Sequence, residues 1–163
     1  MSRGRPRQFD KNEALDHMMM VFWTKGYEGT STEDLCKAVG VNKPSLYAAF
    51  GNKESMFLQV LDHYRQAPAS YVNRALKMPT AREVFRELMH GVVDLTTDPK
   101  LPGGCLLING ALARGSGSGM PQKELAKRRI GGEQEIKERF ELAVACGDLP
   151  PDADTGLLAK LAA

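Results

Sequence analysis

Cysteine is scarce: the 163 residues contain three, Cys36, Cys105 and Cys146, with no Cys-x-x-Cys. An odd, widely spaced set excludes a disulfide framework and predicts reduced thiols, as expected in a cytoplasm. Long apolar runs are absent too, and none approaches the ~18 residues of a membrane-spanning helix. The basic N-terminus is not followed by an apolar stretch, so no secretory signal is expected. The three histidines, His17, His63 and His90, are scattered without His-x-x-x-His or Cys/His metal spacing. There is no Gly-x-Ser-x-Gly, no glycine-rich phosphate loop after a strand, and no carboxylate pair free of capping duties. The sequence therefore offers no catalytic residue, no metal ligand and no cofactor site, and an enzyme is not expected.

Alternation with a period of two is also missing, whereas helical periodicity runs throughout. The expected fold class is all-α, with about eight helices. Asp10-x-x-Glu13 opens a helix whose stripe is Ala14, Leu15, Met18, Val21 and Phe22, closed by Gly26. Ser31-x-x-Asp34 opens a second, stopped by Gly40. Asn42 caps a third, in which Pro44 is tolerated because it lies in the first turn. Asn52 caps a fourth, carrying Met56, Phe57, Val60, Leu61 and Tyr64. Thr80-x-x-Glu83 starts a further helix, with Val84, Phe85, Leu88, Met89 and Val92 sharing a face. A long helix is predicted over 121–146, with a bend or close packing at Gly131-Gly132. The division expected is a flexible basic arm over 1–9, a helix-turn-helix unit over 10–53, and a helical body over 54–163.

Net charge is only +2, but its placement is uneven. Residues 1–53 hold eight basic and six acidic side chains, and the remainder holds fourteen of each. The excess sits at the tip, in "SRGRPRQF", where Arg3, Arg5 and Arg7 are separated by Gly4 and Pro6. A short basic tail is often only a solvated one. Two short capped helices joined at Gly40 come after it, the geometry that sets a second helix into a DNA major groove. In that second helix Leu46 and Phe50 face the core. Asn42, Lys43, Ser45, Tyr47 and Ala48 are left outward, where short polar donors reach base edges and Lys or Tyr reach phosphates.

Positions 14–58 resemble the DNA-binding domain of TetR-type transcriptional regulators. Phe22, Gly26-Tyr27, Thr30-Ser31-Thr32, Leu35, Gly40-Val41, Leu46-Tyr47, Phe50 and Lys53 carry the match. The resemblance implies a homodimer on a palindromic double-stranded DNA operator, in most cases as a repressor. Lys43, Pro44 and Ser45 fall where the family reads bases, and Thr32, Tyr47 and Lys53 where it holds phosphates. Cys36 stands where the family usually has Ala and reads as core. Pro44 replaces a common Gly or Ala and should stiffen the start of the reading helix. Ahead of such a unit, Arg-Gly-Arg-Pro looks like the core of an AT-hook, with arginines entering a narrow minor groove.

The body resembles the family's effector-binding and dimerisation domain loosely. "PGGCLLINGALA" is similar to one branch in which a Gly-Cys pair opens a central helix. The two final helices that usually form the dimer would be incomplete after "TGLLAKLAA", so either the chain is truncated or its dimer surface is reduced. A small-molecule effector is implied. Phe57, Leu61, Tyr64, Phe85, Met89, Cys105, Ile108, Asn109, Leu112 and Phe140 are the expected lining of its pocket, with Tyr64 and Asn109 as polar fixers. Each also fits an ordinary core position. Cys105 reads either as a buried packing residue or as a thiol placed by Gly103-Gly104 at a helix start, where exposed N–H groups favour the thiolate and an electrophile or oxidant could act. A DNA-compacting protein without sequence preference is the remaining alternative.

Overall fold

In the computed structural model, residues 9–112 and 119–163 are described, and the described residues are helical with no strand. The order is α1 (Lys11–Lys25), α2 (Thr32–Val39), α3 (Lys43–Phe50), α4 (Lys53–Gln66), α5 (Tyr71–Ala75), α6 (Ala81–Thr97), α7 (Leu106–Leu112), α8 (Met120–Ala145) and α9 (Thr155–Ala162), with a 3-10 turn over Pro68–Ser70.

The helices start where side chains can take up their free amides. Asp10 accepts from the amides of Asn12 and Glu13, and Ser31 and Asp34 form a reciprocal capping box. Asn42 and Asn52 accept from Ser45 and Ser55, and Thr80 with Glu83 forms a second box. The stops are equally local. Gly40 adopts φ 74°, a left-handed conformation that costs a side chain most, and its amide closes on the Cys36 carbonyl at 2.9 Å.

Two apolar clusters result. The first joins α1 through α4 to α7 and the start of α8: Met18, Phe22, Trp23, Leu35, Leu46, Phe57, Tyr64, Leu106 and Leu125 are all buried in it. Cys36 packs against this cluster half-buried, as its small apolar side chain predicts. The second lies between α6, α8 and α9 around Val84, Leu88, Ile136, Phe140 and Ala159. Tyr71 of α5 packs against both.

Two sequence expectations need correction. Helix α8 runs unbroken over Met120–Ala145, and nothing packs where a Cβ on Gly131 or Gly132 would stand, so the pair marks open space rather than a close contact. On α6 the buried positions are Ala81, Val84, Leu88, Gly91 and Leu95. That phase leaves Phe85 and Val92 at the outer edge of the stripe, each 37% exposed. Between Pro68 and Pro79 the chain forms the 3-10 turn and the five residues of α5. Arg139 of α8 takes the Met78 carbonyl at 2.6 Å and the Pro79 carbonyl at 3.1 Å just beyond it.

Candidate nucleic-acid interface and interior site

Helix α3 is held from behind. Leu46 is fully buried and Phe50 is 2% exposed, so a 100° helical step leaves Lys43, Pro44, Ser45, Tyr47 and Ala48 in solvent. Lys43, Ser45, Tyr47 and Ala48 are among the side chains expected to face outward. Asn42 is exposed, but its Oδ1 is already used, accepting from the Ser45 amide at 2.9 Å. Its first task is to cap α3. Pro44 sits in the first turn and fixes φ where no amide partner is lost.

The edge of this face is drawn together by side chains from two helices. Thr32 Oγ1 on α2 lies 3.3 Å from Tyr47 Oη on α3. Lys43 Nζ stands 5.8 Å from the centroid of the Tyr47 ring. Two hydroxyls and an ammonium on one rim suit the oxygens of a phosphodiester. Lys53 lies elsewhere, with Nζ 4.3 Å over the Tyr27 ring at the start of α4. Tyr27 itself titrates above the usual phenol range, through burial first and the nearby Glu54 and Glu28 after it.

Arg3, Arg5 and Arg7 lie outside the described residues. Phe9, two positions after the last of them, stacks on Phe50 with ring centroids 5.8 Å apart. The root of the arm is thus pinned to the end of α3. Sequence reading did not single out Phe9, although an aromatic before the Asp10 cap was the available signal. It also missed Lys25, whose Nζ lies 2.7 Å from Asp34 Oδ1 and ties α1 to α2. That contact and the Ser31 hydrogen bonds hold the Asp34 carboxyl well below the usual carboxylate range.

The ten residues expected to line one pocket are not gathered into one. Phe57 belongs to the core of the N-terminal unit, with its ring 5.1 Å from Phe22 and 5.0 Å from Tyr27. Leu61 and Tyr64 lie further along α4 in the same cluster, each 1% exposed. Phe140 and the half-buried Met89 belong to the second cluster. Phe85 points outward, and so does Ile108 at 50% exposure, because α7 turns Leu106 and Gly110 inward instead. Leu112 ends α7, and its side chain lies outside those described. Asn109 Nδ2 donates to the Gly103 carbonyl at 2.9 Å, which holds the turn before α7 rather than a cavity wall.

One contact does join the set. The Tyr64 hydroxyl donates to Cys105 Sγ at 3.3 Å. Burial, and then the neighbouring Cys105, push that phenol far above its usual range, so it remains a donor. Tyr71 is shifted the same way by burial and by Cys105, against a smaller pull from Arg65. A shallow cleft of about 210 Å³ is bordered by Tyr71, Gly91, Asp94, Leu95 and Asp98. It contains none of the ten. Among the described residues no group of three or more His, Cys, Asp or Glu is placed to hold a metal ion, and no helix is long and apolar enough to cross a membrane.

The comparisons with known proteins agree with this geometry. The family described as bacterial regulatory proteins, tetR family, matches residues 14–60, and the tetracyclin repressor-like C-terminal domain matches residues 81–162. The HTH-type transcriptional repressor ComR of Escherichia coli is 34% identical over 161 residues, which is 98% of this chain and 77% of ComR. The HTH-type transcriptional repressor BdcR of Escherichia coli is 41% identical over 61 residues, 37% of this chain and 31% of BdcR. Among solved structures, a cysteine mutant of the TetR family transcriptional regulator CifR, complexed with 26-base-pair operator DNA, superposes with a TM-score of 0.87 at 39% identity, covering 96% of this chain and 82% of that one. From the reading helix to the body, the chain belongs to the TetR family of bacterial regulatory proteins.

Proposed function

We propose that the protein is a homodimeric transcriptional repressor that holds a palindromic double-stranded operator through α3 and releases it when a small molecule acts on the body. The carrying observation is the outward, unburied row Lys43, Pro44 and Ser45 at the start of a helix anchored by Leu46 and Phe50. Lys43 and Ser45 read bases there. Thr32 and Tyr47 grip a phosphate at the rim. Lys53 serves a second phosphate from the start of α4. Arg3, Arg5 and Arg7 reach the minor groove from a root fixed at Phe9. ComR carries the name of a repressor, and CifR was solved on its operator, which supports the same task here.

In functional terms residues 1–9 are an arm, 10–53 read DNA, and 54–163 receive the signal and pair the subunits. The three free cysteines suit the reducing cytoplasm in which such a regulator meets DNA. Release occurs when the signal favours a dimer whose two α3 helices no longer match major grooves ~34–36 Å apart.

The test is selection of bound sites from random DNA, and then a gel shift against random competitor at fixed salt. A repressor prefers a two-fold symmetric site by ~10³-fold or more. Binding without preference leaves only the DNA-compacting alternative.

A further inference from the structure

The reading helix α3 is short and flanked by a glycine at positive φ on either side, Gly40 at 74° and Gly51 at 80°. Its two buried residues, Leu46 and Phe50, lie on one face. Apolar packing of that kind holds the helix against the core but is not directional, so it does not by itself set a tilt.

A side chain away from the outward face supplies the direction. Gln59 of α4 donates from Nε2 to the Phe50 carbonyl at 2.9 Å. That carbonyl is one of the last four of α3, which have no partner inside the helix. The same amide lies 3.1 Å from the Ser55 carbonyl and 3.1 Å from Ser55 Oγ, so half-buried Gln59 is itself held in place. Gly51 permits the approach. Its φ of 80° with ψ of −152° is a backbone that glycine alone adopts cheaply, and a Cβ there would stand 3.0 Å from Ser55 Oγ. Helix α4 is in turn a firm support. Asp62 meets Arg128 of α8 at 2.7 Å, and His63 meets Asp16 of α1 at 2.6 Å.

Lys43 and Phe50 are the two ends of α3, about 10 Å apart along the axis at ~1.5 Å per residue. A tilt of about 5° at the Phe50 end displaces the Lys43 end by about 1 Å, beyond the ~0.5 Å within which a recognition group must be held. Base readout depends on directional hydrogen bonds and feels that displacement. An ammonium meets a phosphate as a point charge and feels it less. We propose that Gln59 is a specificity-positioning residue: its bond to the Phe50 carbonyl sets the tilt of α3, and with it the base edges that Lys43 and Ser45 reach. The inference rests on the repressor reading and adds a residue that acts on base choice from behind the reading helix.

The experiment uses the full chain. Binding isotherms are taken at fixed salt on the selected operator, on its single-base variants and on random DNA, well below the melting midpoint of each protein. Gln59→Met keeps the length of the side chain and removes the donor. Expected is a ratio of operator to random affinity about tenfold lower, with affinity for random DNA held within about twofold. Gln59→Glu keeps the shape but turns a carboxylate toward the carbonyl, and its ratio should fall at least as far. Ser55→Ala removes one partner of Gln59 and leaves the Phe50 bond, so it should keep the ratio within about twofold. A purely structural part for Gln59 would lower the melting midpoint and leave the ratio unchanged, and that result in folded Gln59→Met overturns the proposal. So does an equal loss of ratio in Ser55→Ala, or a fall in random affinity as large as the fall on operator. If Gln59→Met does not fold, Gln59→Glu carries the same comparison. Hydrogen exchange of side-chain amides in the parent needs no variant: Gln59 should exchange about tenfold or more slowly than exposed Gln66, and equal rates overturn the tie. A chain that never selects an operator overturns instead the repressor reading, because the exchange measurement judges the Gln59 bond by itself.

Discussion

Tyr71 lies against Gly91 so closely that a Cβ on Gly91 would stand within the Tyr71 ring. This contact seats α5 on α6 at the junction of the two apolar clusters, since Tyr71 belongs to the margin of both. Glycine in mid-helix is ordinarily a small loss relative to alanine, and here the missing methyl is what lets the ring in.

Substitution at this point should therefore run against helix propensity. Gly91→Ala gains ~1 kcal/mol of propensity but forces the ring out of a packed site, an overpacking cost of about 1–3 kcal/mol. The net expectation is a lower thermal midpoint. Gly131→Ala and Gly132→Ala meet nothing and should each raise stability by about 0.5–1 kcal/mol. Melting curves of the three single variants decide it. A Gly91→Ala protein as stable as Gly131→Ala would show that the Tyr71 contact is not tight.

This contrast marks how far the sequence could be read. Signals within a few residues were legible: the Ser31–Asp34 and Thr80–Glu83 boxes, the Gly40 stop, and the inner face of α3 at Leu46 and Phe50 all stand as their spacing implies. The outward row from Lys43 to Tyr47 was legible for the same reason. The two ends of a wide apolar stripe were not. Val84 and Phe85 look alike in sequence, and only the placement of α8 and α9 buries one and exposes the other. The same holds for Ile108, Phe140 and Trp23, whose neighbours come from helices tens of residues away.

Removing the Tyr64 hydroxyl should cost stability without touching α3. Tyr64→Phe keeps the ring against Trp23 but leaves the Cys105 sulfur without its donor, a loss of about 0.5–1.5 kcal/mol. Denaturant unfolding should show a lower midpoint at an unchanged slope. Operator affinity should stay within about threefold, a fraction of the ~1.4 kcal/mol that separates tenfold steps in affinity. An unaltered midpoint would mean that this hydroxyl is no tie between α4 and α7.

The Lys25–Asp34 contact predicts a response to acid. Asp34 is held well below the usual carboxylate range, first by Lys25 and then by Ser31. A group whose folded pKa is depressed adds stability above its unfolded pKa, near 3.9, and that stability is lost as pH falls further. Asp34→Asn should thus be less stable than the parent at neutral pH, and the gap should close below about pH 4. Because the carboxylate is partly open to solvent, the gap should also shrink in high salt. Melting midpoints of both proteins between about pH 2.5 and 7 would expose a constant gap, which this electrostatic account does not allow.

On DNA, the arm and the reading helix should fail in different ways. Deleting residues 2–7 removes three arginines ahead of the Phe9 anchor. If each neutralises a phosphate, the slope of log affinity against log salt should flatten by roughly 0.9 per charge, close to 3 in all. Lys43→Ala and Ser45→Ala should instead relax the preference at single base positions by ~1–3 kcal/mol each, with the salt slope moving by no more than about 1. Tyr47→Phe, which loses the hydroxyl near Thr32, should weaken all sites alike. The measurement is a set of binding isotherms at several salt concentrations on the selected operator, on single-base variants of it and on random DNA. Equal slopes for the deleted and intact proteins would return the arm to a solvated tail, since a segment that leaves counterions undisturbed is not in contact with phosphate.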